Sequence, residues 1–210
     1  MNDKIKQIMR KTYGYWWVDG MADLALGLFF GALASYSYLM VTLPLSKTMG
    51  LIMAIAEPLF FIACWWLYGR LVKWVKEHIT YRRTGYVAYQ PKPKKERARR
   101  AVIGGVLGFV MALSVTFIGP QLFKVDSVIM VGVLLGMVTL FLAITNGVKR
   151  LYLLAPIEMG AGWWVSTLLM DAELKSIFLM ALIGVGWLLS GLIAFVRYLV
   201  KTKPLQEGDV

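Results

Sequence analysis

One histidine and one cysteine in 210 residues leave this chain short of the side chains from which zinc centres and disulfides are made. A zinc site takes three or four ligands, and His78 has no His or Cys nearby in sequence with which to share one. Cys64 has no intramolecular partner, so there is no disulfide and no redox pair. Its expected role is that of a small apolar filler. Acids are scarce as well, 12 against 23 Lys and Arg, for a formal net charge of +11. No Gly-x-Ser-x-Gly elbow, Ser-x-x-Lys sequence or Walker loop occurs, which removes the common serine-nucleophile and nucleotide-hydrolysing arrangements. The expectation is a protein that is not an enzyme and holds no cofactor.

What the chain has is apolar length. Apolar residues make up 59% of it, well above the roughly 45–50% of soluble domains, and its mean hydropathy is +0.64. Six runs read as spans: 21–41, 49–68, 101–119, 127–148, 151–170 and 176–199. Each approaches or exceeds the about 20 residues a helix needs to cross a hydrocarbon core about 30 Å thick. The sequence predicts an all-α, six-helix transmembrane bundle forming a single integral membrane domain over residues 1–210. Ala32-Leu33-Ala34 resembles a signal-peptidase site. Asp19 and Asp23 interrupt the would-be signal core, however, and the apolar run continues to Leu45, so this segment reads as a span.

Orientation follows from Lys and Arg in the connections. Twenty of the 23 fall in the N-terminal arm, in 70–100, at Lys149-Arg150 and at Arg197, Lys201 and Lys203, which close the sixth run, whereas Lys47, Lys124 and Lys175 stand alone in the other three connections. Both termini are expected in the cytoplasm. The connection 71–100 is the one sizeable extramembrane feature. Leu71–His78 should continue the second helix, Ile79–Gln90 suits a small β-hairpin about a Thr84-Gly85 turn, and Pro91-Lys92-Pro93 precedes a basic run. Lys94, Lys95, Arg97, Arg99 and Arg100 in that run, with Arg82, Arg83 and Tyr86 in the hairpin, are candidates for docking anionic lipid headgroups or a protein partner. The +11 charge does not point to nucleic acid, because it is needed on the membrane face and no zinc-finger or RNP-type signature accompanies it.

The segment Tyr81–Val87 (YRRTGYV), together with Trp17–Gly20 (WVDG), resembles uncharacterised multi-pass bacterial membrane proteins with an Arg-x-Gly-Tyr-Val turn after their second span. The resemblance implies a bacterial inner membrane and no particular activity. A second likeness fails. Asp19-Gly20 with Asp23 opens like the motif of lipid alcohol phosphatidyltransferases, but Ala22-Asp23 stands where that family needs Ala-Arg, and the later aspartates are missing.

Small residues four apart recur at Gly27/Gly31, Gly104/Gly108, Gly132/Gly136 and Gly186/Ser190. In lipid, helices associate through such close-packing surfaces. Packing within one bundle uses them without requiring a homo-oligomer. Trp16-Trp17 and Trp65-Trp66 suit interfacial belts, and Trp163-Trp164, deep in the fifth run, are expected in the core or lining a cavity.

Acids inside spans are costly, and they face the bundle interior or water. Asp19 is expected as a solvated residue at the start of the first helix. Asp23, one turn on, has Arg70, Arg150 and Arg197 as candidate partners. Glu57 precedes Pro58, and Glu158 follows Pro156 with Gly160 and Gly162 beyond it. Interrupted helices at matching positions of two halves would point to a midplane transport site. Two functions follow as expectations. The first is a non-enzymatic regulatory, sensory or assembly component docking through Ile79–Gln90. The second is a small ion-coupled carrier using Asp23, Glu57 and Glu158.

Overall fold

In a computed structural model, residues 17–44, 46–80, 102 and 126–202 are described, without the side chains of Ala54, Glu57, Trp65 and Thr80. Every element longer than a turn among them is helical. The helices are α1 (Met21–Thr42), α2 (Lys47–Val75, continued by one π-helical turn Lys76–Thr80), α3 (Ser127–Asn146), α4 (Leu151–Ser166) and α5 (Ala172–Lys201). Four are long and apolar enough to cross a membrane: α1, the α2 run, α3 and α5. The predicted hairpin, its candidate docking residues Arg82, Arg83, Tyr86, Lys94, Lys95, Arg97, Arg99 and Arg100, and the 101–119 run apart from Val102 lie outside the described residues.

Side-chain chemistry sets the helix ends. Ser46 accepts from the Met49 amide at 3.3 Å and Asp126 from the Val128 amide at 3.2 Å, each satisfying one orphan N–H of its helix. Gly20 enters α1 at φ 70°, a conformation that side chains disfavour. A Cβ there would also lie 2.4 Å from the Gly191 carbonyl oxygen. At the far end of α3, Gly147 takes φ 69° as its C-cap. α2 and α4 remain continuous through Pro58 and Pro156, so neither proline interrupts its helix as the transport-site expectation required.

α4 is shorter than the expected 151–170 span. Its 16 residues rise about 24 Å. It ends where Ser166 and Thr167 turn their hydroxyls back onto the Trp163 and Trp164 carbonyls, at 2.6 and 2.7 Å. Lys175 then caps the Ser166 carbonyl at 2.9 Å and pairs with Asp126 at 3.1 Å.

The helices pack chiefly as α1 on α5 and α3 on α4, with α4 joining the two pairs through α5. Small residues make both contacts. A Cβ on Gly132 would stand 2.7 Å from the Gly162 Cα, and one on Gly27 2.8 Å from the Gly184 carbonyl oxygen. Gly162 is therefore a packing surface of α4. Gly104 and Gly108 lie outside the described residues. Around these contacts Leu151, Leu154, Val165, Leu179, Ile183 and Trp187 form the principal apolar core. Trp163 departs from expectation: 65% of it is exposed, because it falls on the face of α4 away from α3 and α5.

Candidate functional site

One end of the bundle gathers charge. Asp19, just before α1, accepts from the Met21 amide at 3.2 Å through Oδ1, while its Oδ2 lies 2.9 Å from the Lys76 ammonium. Both side chains are almost wholly buried. This corrects the expectation of a solvated Asp19. Lys76, where the π-helical turn that extends α2 begins, lies on the same face as Val72 and Val75, and all three are buried.

Asp23 is buried one turn further into α1. Its Oδ2 receives the Arg150 Nε at 2.5 Å and the Ser190 hydroxyl at 3.1 Å. Arg150 thus holds the place for which the sequence offered three cations. Its Nη2 also donates to the Trp17 carbonyl at 2.5 Å. One arginine at the head of α4 thereby ties the entry to α1, α1 itself and, through Ser190, α5. Among the described residues, Asp23 Oδ1 has no hydrogen-bond partner.

Glu158 lies eight residues beyond Arg150 along α4, about 12 Å deeper. It is buried, and both carboxylate oxygens are engaged. Thr139 of α3 donates to Oε2 at 2.6 Å, and the Trp187 indole N–H of α5 donates to Oε1 at 2.7 Å. Among the described residues no cation lies within ion-pair distance of it. Trp187 also connects the two levels, since its ring packs against Trp17 with centroids 6.3 Å apart. Glu57 is carried by α2, but its side chain lies outside the described atoms.

Two cavities open between described helices, and neither reaches both Asp23 and Glu158. One of about 640 Å³ lies between α1 and α2. The other, about 300 Å³ between α4 and α5, has Glu158, Gly160, Trp164 and Gly186 in its walls. No group of three or more His, Cys, Asp or Glu suited to a metal occurs among the described residues.

Sequence reasoning picked out the acids and, for Asp23, its partner. It missed Lys76, Thr139, Trp187 and Ser190. Lys76 was legible: it lies four and one residues after Val72 and Val75, on the stripe that helical spacing places inward. Thr139 and Ser190 carried no comparable signal, since a hydroxyl in an apolar helix also satisfies itself on its own backbone. No family model, curated protein or solved structure matches the chain.

Proposed function

We propose that this protein is a non-enzymatic membrane component, a regulatory, sensory or assembly partner of another protein, built on six spans with both termini cytoplasmic. One observation carries the reading. Each acid with a described side chain within the bundle is taken up by a partner on another helix: Asp19 by Lys76, Asp23 by Arg150 and Ser190, Glu158 by Thr139 and Trp187. Acids so committed serve to position helices.

The six-span topology draws support from where the described chain stops. α2 finishes at the charged end, beside Asp19. α3 begins at Asp126, 20 helical residues, or about 30 Å, away from the turn that carries Arg150. On this reading the third span is 101–119, the one apolar stretch of 81–125 long enough to cross a membrane. The charged end is the cytoplasmic one by the distribution of Lys and Arg, and the resemblance of 81–87 to bacterial proteins suggests an inner membrane.

On this reading Ile79–Gln90 docks a partner, and it follows closely on Lys76, which is paired with Asp19. A photo-crosslinking side chain at Arg83 or Tyr86 should yield a discrete protein adduct in intact membranes. Adducts to lipid alone would oppose the reading.

The carrier reading keeps one observation in its favour: Glu158 is a buried carboxyl with no cation beside it among the described residues, in the wall of a cavity. It requires that Glu158→Gln abolish a pH-driven flux in reconstituted vesicles. The structural reading requires that no such flux exist to be abolished.

A further inference from the structure

The larger cavity has the shape and charge of a lipid site. Leu28, Phe29 and Ala32 line it from α1, and Cys64, Leu67 and Leu71 from α2. Both sets recur at three- and four-residue spacing, so each forms a stripe on one helix face. The groove is open to the membrane, since Leu28 and Leu67 are more than half exposed.

Its charged side chains are all at one end: Arg70, Lys73 and Glu77, with Trp74 among them. From Cys64 to Lys73 a helix rises about 14 Å, close to one leaflet's share of a hydrocarbon core about 30 Å thick. The apolar part therefore has the depth of an acyl chain, and the cations stand at headgroup level, where Trp is also at home.

The charge balance at that mouth favours an anion. Glu77 meets Lys73 through an exposed i,i+4 contact of 3.7 Å, an interaction of little strength. The Arg70 guanidinium lies 4.3 Å from the centroid of the Trp66 ring. That stacking orients the fork, and among the described residues no carboxylate takes up its N–H donors, which suit a phosphate. We propose that this groove binds one anionic phospholipid, with an acyl chain along Leu28, Leu67 and Leu71 and the headgroup phosphate on Arg70 and Lys73. The site is distinct from the basic run at 94–100, and it does not depend on which functional reading holds.

Cys64, the only cysteine of the chain, lies in the groove and supplies a native probe. The full-length protein would carry a bimane on Cys64 in nanodiscs of phosphatidylcholine. Increasing fractions of tail-brominated phosphatidylglycerol, or of tail-brominated phosphatidylcholine, would then be introduced. Half-quenching by the anionic lipid is expected at an about fivefold lower mole fraction, the effect of one net cation near a membrane surface. In Arg70→Gln/Lys73→Gln that preference should vanish, while Lys201→Gln, on the same side of the membrane but outside the lining of the groove, should retain it. Equal quenching by both lipids in the wild type would overturn the proposal, leaving ordinary boundary lipid in the groove. Absence of quenching by either would also overturn it, by showing the groove filled by protein such as residues 101–119. Preference that persists in the double variant would place the anionic site elsewhere and likewise reject it.

Discussion

Arg150 stands at the N-terminal end of α4, where a helix dipole disfavours a cation, and Asp23 stands in the first turn of α1, where the dipole favours an anion. Their contact offsets the unfavourable placement of the arginine and brings together residues 127 apart in sequence. Removing one member of a buried pair strands the other, which typically costs about 3–5 kcal/mol, whereas replacing both with apolar side chains is often neutral. Lys76→Met should therefore destabilise the protein by about that amount, and Asp19→Leu/Lys76→Met should recover most of the loss. Thermal unfolding in detergent checks this. At Glu158 the outcome differs. A glutamine can accept from Trp187 and donate to Thr139, so Glu158→Gln should change stability by less than about 1 kcal/mol. Glu158→Ala leaves both groups unsatisfied and should lose about 1–3 kcal/mol for each. At this scale the sequence was half legible. An acid in an apolar run announces itself by its cost, but the hydroxyl or indole that satisfies it is chosen by tertiary contact.

α3 and α4 meet through glycine, so their contact has little tolerance. Gly132→Ala would place a Cβ 2.7 Å from the Gly162 Cα, forcing the helices apart at an expected loss of about 1–3 kcal/mol. Gly160 lies on the same helix as Gly162, yet a Cβ there meets nothing within 4 Å. Gly160→Ala should be neutral, or stabilising by up to about 1 kcal/mol through helix propensity. Unfolding both variants by denaturant in mixed micelles separates the two outcomes. The helices themselves were readable from apolar run length: α1 and α3 fall within two residues of expectation, and the predicted extension of the second helix through His78 is present. The ends of α4 and α5 were less readable. The run 151–170 is apolar to its last residue, but hydroxyl groups and Lys175 terminate the helix at Ser166.

For the molecule as a whole, charge distribution and packing point to the same arrangement. The cations that the sequence places on one side of the membrane include Lys76 and Arg150, which meet Asp19 and Asp23 at one end of the bundle. Lys175, from the sparse side, meets Asp126 at the other end. In a Cys64→Ser background, a cysteine at Glu173 should react with an impermeant maleimide from outside intact cells, and one at His78 only after permeabilisation. The reverse pattern would invert the orientation. That Lys76 and Arg150 would gather at a different end from Lys175 was legible in the sequence, because it depends on counting charges. Sequence could not foresee that the acids would be distributed over two levels joined by the Trp17–Trp187 contact, which arises only when α1, α4 and α5 are assembled.

Whether these buried acids hold the helices together is tested most directly by a double-mutant cycle between Asp23→Asn and Arg150→Gln. Stability of the wild type, both single variants and the double variant would be measured by reversible denaturation in mixed micelles. A coupling of at least about 1.5 kcal/mol, within the range for close charge pairs, is predicted, with each single variant costing more than its share of the double. A coupling indistinguishable from zero, with both single variants as stable as the wild type, would contradict the account and free Asp23 for another role.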